Sequence, residues 1–273
     1  MKTEKVHLTK EKETLLPTLY GRALDSRAER PILGDTFAEE VVRQLDYDFE
    51  SLQLPKGASV SLPVRAKHLD TWTREFLAAH PSSTVLHLGC GLDSRVFRVD
   101  PAPTVRWFDV AHPEVIELRR RVCPERPHCT LVGSSVTDLR WLDEIAGDLP
   151  VLVVAEGLVV YLEEKRGFEL FRAITERFPS GELIFDAYSR SMMWLTQRLP
   201  AVKKSGAVLS WSIDDPHDLE REIPRLHLVS AVPFLTMPEL ISRSSSRFEH
   251  AVFDLMCRSA FVKGLVQHLR YRF

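Results

Sequence analysis

The chain has 273 residues, 44% hydrophobic and 27% charged, with a formal charge of −2. That is ample apolar material for one large α/β domain, or a domain with an appendage, and it gives no general electrostatic reason to seek nucleic acid. The first residues lack the apolar segment of a secretory leader and no run of about 18 apolar residues could span a bilayer, so a cytoplasmic protein with no membrane partner is expected.

Residues 11–80 read as helical. Asp35 precedes a segment with apolar residues at 37, 41, 42 and 45, and Val64–Ala79 places Leu69, Trp72, Phe76 and Leu77 on one side, with Pro81 closing it. The texture then changes to short apolar runs of strand length, at Thr84–Cys90, Thr104–Val110, Thr130–Gly133, Val151–Ala155 and Glu182–Ala187. Helical stretches separate them, at Pro113–Val122, Leu139–Ile145 and Glu163–Phe178. Such alternation predicts an α/β fold with a mostly parallel sheet covered on both faces. Two further strands are expected at Arg225–Val232 and Val266–Phe273, the last alternating like an antiparallel strand near an edge. The basic run Arg119–Arg121 closes a predicted helix, where cations suit the dipole. The four cysteines (Cys90, Cys123, Cys129 and Cys257) show no framework spacing. Cys123, His128 and Cys129 lack a fourth ligand and zinc-type spacing, so no metal is expected.

An open α/β sheet binds ligands beyond the carboxyl ends of its strands. After the first strand, in "HLGCGLDSRVFR", Gly89 and Gly91 permit positive φ and close approach of a ligand to the backbone. The third glycine of a dinucleotide fingerprint is replaced by Ser94, which disfavours a nicotinamide cofactor. After the second strand, Asp109 is the acid available for a ribose diol, or is a solvated strand-end aspartate. After the third, Asp138 could accept from an adenine amino group while Leu139 packs on the ring, or could cap the following helix. After the fourth, Glu156 interrupts about ten apolar residues, where an ionised group needs a partner: a bound ammonium or a protein arginine. Together the four positions describe a ligand with a ribose, a flat base and an amino-acid-like end, which S-adenosylmethionine satisfies.

The segments "TVLHLGCGLDSRVFRV", "VRWFDVAHPEVIELRRR", "SVTDLRWLDEI", "VVAEGLVVYLEEK" and the closing "LRYRF" resemble the leucine carboxyl methyltransferase family, nearest to its bacterial branch of polyketide-biosynthesis O-methyltransferases. The resemblance implies a class I methyltransferase (Rossmann-like) fold with a mostly parallel seven-stranded sheet, one domain over 1–273. A helical region over 1–80 and a substrate lid over 190–224 would flank a sheet core of 81–189 and 225–273. It also implies that Gly89 contacts S-adenosylmethionine, Asp138 and Leu139 the adenine region, Glu156 the methionine end, and Arg65 the methionine carboxylate. The chain departs from the family pattern two residues beyond Asp109, where Ala111 replaces an acid, and at His112, which replaces an apolar residue. Asp109 is expected to take over the ribose contact.

The implied partner is a small-molecule methyl acceptor, offering a carboxyl or a hydroxyl. A carboxylate needs no base; for a hydroxyl, His217 and His227 are the candidates in the variable segment. Met192, Met193, Trp194 and Trp211 could form an apolar substrate surface or simply pack the segment onto the core, and the ring of Tyr161 could face a sulfonium. Alternative readings are a protein carboxyl methyltransferase and a member of the fold that has lost catalysis.

Overall fold

The computed structural model describes residues 4–6, 8, 10–55, 57–242 and 258–273. Cys257, and the part of the expected 225–273 sheet core that falls in 243–257, lie outside the described residues, as do the first three residues of the expected helical region.

Seven strands form one sheet: β1 (Thr84–Leu88), β2 (Arg106–Ala111), β3 (Cys129–Gly133), β4 (Val151–Ala155), β5 (Gly181–Tyr188), β6 (His227–Pro233) and β7 (Val266–Arg272). Their order is β3-β2-β1-β4-β5-β7-β6. The first five are parallel, and β7 runs antiparallel to both its neighbours. The strand order reverses between β1 and β4, the place where an α/β sheet opens a crevice. The unbroken apolar run of β4 follows from its central position: Val151, Val153 and Ala155 pack into the core on one face, Leu152 and Val154 into the core on the other.

Helix α1 (Leu15–Ser26), α2 (Thr36–Gln44) and α3 (Ala58–Ala79) form the helical region ahead of the sheet. Leu69, Trp72 and Phe76 of α3 press on Val85, Trp107, Leu152 and Ile184, as their spacing predicts. The helix begins six residues earlier than the expected Val64. Pro63 lies within its second turn, where its missing N–H forfeits only the bond to the Ser59 carbonyl. Asp35 caps α2 by accepting from Ala38 N at 3.1 Å. The short helix α4 (Arg95–Val99) follows the glycine turn after β1; on the opposite face, α6 (Arg140–Asp143) and α7 (Glu164–Arg177) cover the sheet, while α5 (Pro113–Val122) packs under α1 and α2.

The segment after β5 folds over this frame, and one amide ties it together. Gln197 Nε2 donates to the Ala207 carbonyl at 2.8 Å, and Gln197 Oε1 accepts from Leu209 N at 2.9 Å. Trp211 is core, not surface. It is 2% exposed, tilted against Phe168 and Phe171 over Gly167, where a Cβ would lie 2.0 Å from its ring. Trp194, by contrast, is exposed beneath the guanidinium of Arg198. Among the described residues, no helix is long and apolar enough to cross a membrane.

Candidate active site

A cavity of about 370 Å³ opens at the carboxyl edge of the sheet, across the point where strand order reverses. It reaches from Ser135, Val136 and Thr137 after β3 to Asp186 and Tyr188 of β5. Those segments are four strand spacings apart, roughly 19 Å. Gly89 and Gly91, Glu156 and Arg65 all line it, so four of the seven expected site residues share one hollow.

Two glycines shape its floor. Gly89 has φ +64°, and a Cβ there would meet Leu158 Cδ1 at 3.0 Å. Gly157, which follows Glu156, has φ +62°, and a Cβ there would touch the Arg65 guanidinium at 3.2 Å. The main-chain N–H of Gly157 donates to Asp186 Oδ1 at 2.5 Å, which joins the ends of β4 and β5.

Glu156 stands between two arginines. Arg65 Nε donates to its Oε1 at 3.0 Å, and Arg95 donates to its Oε2. Burial alone would raise the Glu156 carboxyl, but Arg65 and Arg95 outweigh it and hold the pKa at about 2. Arg65 also donates to Asp186 Oδ2 at 3.3 Å. Arg95 is wholly buried and bonds Asp70 at 2.6 Å on its far side. Arg95 stands in the quoted stretch "HLGCGLDSRVFR" but was assigned no role there, since arginines are seldom so buried, yet it anchors the site's main carboxylate from behind.

Behind the loop that follows Gly91, the network continues into the helical region. Arg98 bonds Asp70 at 2.8 Å, Asp35 at 2.9 Å and Asp93 at 2.8 Å; Arg22 approaches Asp93 at 3.4 Å and donates to the Leu92 carbonyl at 3.3 Å. Asp35 therefore serves twice, as the cap of α2 and as an acceptor from Ser94 Oγ at 2.5 Å. The helices ahead of the sheet are thus bonded into the floor of the cavity.

Asp109 is not in the cavity wall. It lies two residues, about 6.6 Å, before the end of β2 and is fully buried. Its oxygens accept from His87 Nδ1 and Trp107 Nε1, each at 2.9 Å, and from Arg119 at 2.6 Å; the Cys129 thiol approaches at 3.7 Å. The expectation that Asp109 inherits a ribose contact is corrected by this geometry: alternation puts it on the same face as Ala111, but deeper, and its acceptor capacity is used. Ala111 and His112 form the wall there instead. Asp138 and Leu139 also fall outside the wall. Asp138 pairs with Arg140 at the surface, which holds its carboxyl at about 2, and Leu139 packs on the core. The three residues just before them, Ser135–Thr137, line the cavity instead.

Tyr161 and Tyr188 line the other end, with Thr196 and Leu209 from the folded-over segment. Burial raises both phenols, Tyr188 to about 12, so each is a hydrogen-bond donor at neutral pH. His217 lies outside the wall, paired with Glu220 at the surface, and His227 begins β6, also outside it. Among the described residues, no group of three or more His, Cys, Asp or Glu could hold a metal ion.

Comparison with known proteins agrees with this arrangement. The leucine carboxyl methyltransferase family model matches residues 16–175. The tetracenomycin polyketide synthesis O-methyltransferase TcmP of Streptomyces glaucescens is 44% identical over 237 residues, 87% of this chain and 88% of TcmP. The S-adenosyl-L-methionine-dependent methyltransferase dpfgK of Gibberella zeae is 35% identical, covering 81% of this chain and 82% of its own. At the level of fold alone, a DUF574 family protein from Streptomyces avermitilis superposes with a TM-score of 0.60 at 14% identity, covering 97% of each chain. A protein of Thermobifida fusca described as a candidate methyltransferase gives 0.54 at 17% identity, covering 92% of this chain and 93% of its own. The sheet is that of a class I methyltransferase, and its cofactor is S-adenosylmethionine. The chain belongs to the leucine carboxyl methyltransferase family.

Proposed function

We propose that this cytoplasmic enzyme methylates the carboxylate of a small, polyketide-like acid, with Arg65, Gly89, Gly91 and Glu156 holding the cofactor. The observation that carries the proposal is the pairing of Glu156 with Arg65 in the wall of a cavity that also contains two protonated phenols, in a chain 44% identical to a polyketide O-methyltransferase.

The donor set fits the cofactor. A zwitterionic amino-acid end presents an ammonium and a carboxylate side by side, and the wall presents a carboxylate and a guanidinium 3.0 Å apart. Arg95 holds Glu156 ionised and fixed from the buried side, so the acid is oriented before any ligand arrives. The positive φ of Gly89 leaves room for a nucleoside against the backbone. When bound, S-adenosylmethionine supplies an electrophilic methyl group on its sulfonium.

The chain's own task is then positioning and exclusion of water, worth roughly 7–11 kcal/mol where near-attack geometry is achieved. Tyr161 and Tyr188 are protonated phenols, suited to donate to an acceptor carboxylate and unsuited to remove a proton. A carboxylate is already a nucleophile, which favours methyl ester formation over a phenol ether. The segment 190–224 serves as the lid, contributing Thr196 and Leu209 to the wall.

The test is incubation with methyl-labelled S-adenosylmethionine and a panel of aromatic polyketide acids, each paired with its decarboxylated phenol. Label that appears only with the acids and is released by mild alkali identifies an ester. Transfer to the phenols alone, as alkali-stable ether, would replace the carboxyl reading with a hydroxyl one.

A further inference from the structure

We infer that the covering segment 190–208, with the helix packed beside it, docks the enzyme on the surface of an anionic lipid bilayer. The inference stands on this surface alone and does not depend on which group the enzyme methylates. It departs from the expectation of no membrane partner, which rests only on the lack of a spanning segment.

Among the described residues six large hydrophobic side chains are exposed, and five of them stand here: Trp194, Leu195, Leu199, Val208 and Phe261. Scattered singly such residues mean little, but a concentration of them marks a contact surface. The helix Arg190–Thr196 explains their placement. Trp194 and Arg198, four residues apart, share its outer side, whereas Thr196 turns to the cavity wall. The helix Ala260–Leu265, which carries Phe261, packs against it, and Ser189 N donates to the Leu265 carbonyl at 3.0 Å.

Charge selects the partner. From Arg190 to Ile213 the chain holds Arg190, Arg198, Lys203 and Lys204 and no acid, although its overall formal charge is −2. Arg258 and Lys263 flank Phe261, again with no acid in 258–273. Arg190 lies 3.9 Å from Asp214, which partly balances it. Lys203, Arg258 and Lys263 are exposed. The Arg198 guanidinium lies 3.4 Å over the Trp194 ring and donates to the Trp194 carbonyl at 2.7 Å.

Tryptophan and phenylalanine beside arginine and lysine settle where lipid headgroups meet acyl chains: the rings enter the boundary and the cations meet the phosphates. The stacked Trp194–Arg198 pair offers both halves of that contact at one level. A bilayer demands no fitted pocket, and none of the five apolar residues lines the cavity. Docking by this face brings Thr196 and Leu209, the wall residues of the same segment, close to the phase in which an apolar acceptor dissolves.

The test is co-sedimentation of the full chain with vesicles of phosphatidylcholine alone and of equal parts phosphatidylcholine and phosphatidylglycerol. Wild type, Trp194→Ser and the double variant Arg198→Glu with Lys203→Glu are compared after thermal melts confirm that each is folded. Wild type should partition onto the mixed vesicles about 10-fold or more in preference to phosphatidylcholine, and added salt should erase the preference. W194S should lower that partitioning by about 10-fold, and the charge reversals by about 10- to 100-fold. Wild type that stays in the supernatant with the mixed vesicles overturns the inference. So does equal partitioning of wild type and both variants, which would mean adsorption through another face. Wild type that ignores both vesicles but is retained on immobilised polyglutamate, and released by R198E with K203E, overturns the lipid assignment in favour of an acidic protein.

Discussion

Arg119 donates to Asp109 at 2.6 Å, and neither side chain reaches solvent. The pair lies under the cavity, not in it, so Asp109 belongs to the foundation of the site. Asp109→Ala leaves a buried guanidinium without its counter-charge and should destabilise the fold by about 3–5 kcal/mol in denaturant unfolding. Affinity of the folded fraction for S-adenosylhomocysteine should stay within a few-fold of wild type. Full stability with lost affinity would return Asp109 to the ligand.

Glu156 should differ from Asp109 in its effect on affinity. Glu156→Gln removes the charge but keeps the shape, and should weaken S-adenosylhomocysteine binding by about 10- to 100-fold in calorimetry, the value of a charge-assisted hydrogen bond. Glu156→Lys should abolish binding. Wild-type affinity in either variant would move the ammonium contact elsewhere.

The same two carboxyls set the acid limit of the fold. Asp109 and Glu156 are both held at about 2, below the ordinary carboxylate range, because buried arginines outweigh the cost of burial. In the unfolded chain they titrate near 4. Their contribution, about 2–3 kcal/mol each, is therefore complete above about pH 4.5 and is lost as pH falls toward 2. Denaturant midpoints should fall steeply across that window, and the gap between wild type and E156Q should close within it.

His268 of β7 is a separate pH-sensitive point. It is fully buried against His68, Trp72 and Phe234, and neither ring nitrogen has a hydrogen-bond partner among the described residues. Burial, aided by His68 and Arg65 and opposed by Glu156, keeps its protonation well below the usual range. Below about pH 6.5 the unfolded chain takes up a proton that the folded chain refuses, so stability is lost as pH falls through that value. His268→Leu should raise stability at pH 7 by about 1 kcal/mol and flatten the profile between pH 7 and 5, measured by thermal melts.

Under the proposed function, the Tyr161 phenol donates to the acceptor carboxylate. Tyr161→Phe should raise the KM for the acid about 5- to 10-fold, the worth of one hydrogen bond, with little change in S-adenosylhomocysteine affinity. An unchanged KM would remove the phenol from acceptor recognition.

The strands were legible because burial on two faces leaves unbroken apolar runs such as Val151–Ala155, and their β-α order dictates the sheet. Glycine chemistry at Gly89 and the isolated acid at Glu156 were legible for the same reason: each is costly where it stands unless something approaches it. Depth was not legible. Alternation along β2 puts Asp109 and Ala111 on one face but does not say which of them reaches the rim. The donors that seal Asp109 come from positions 87, 107, 119 and 129, and only the folded chain assembles them. At Asp138 the turn was placed correctly, but the direction in which it leaves β3 exposes Ser135–Thr137 to the cavity and Asp138 to water. Whether Trp211 was substrate surface or core packing stayed open in the sequence because its partner, Gly167, lies more than 40 residues away and shows no signal of its own.

Gln197 imitates a strand neighbour with its side-chain amide, and this gives the covering segment a clasp at its base. Thr196 and Leu209 are held by that clasp, whereas residues 198–206 form a closed ring of chain outside the wall that packs on the turn at Lys10–Thr14, with Val202 buried. Changes of length or sequence within the ring can alter what sits at the mouth of the enzyme without shifting the two wall residues. Acceptor preference can therefore diversify within this architecture while the methyl-donor chamber stays constant.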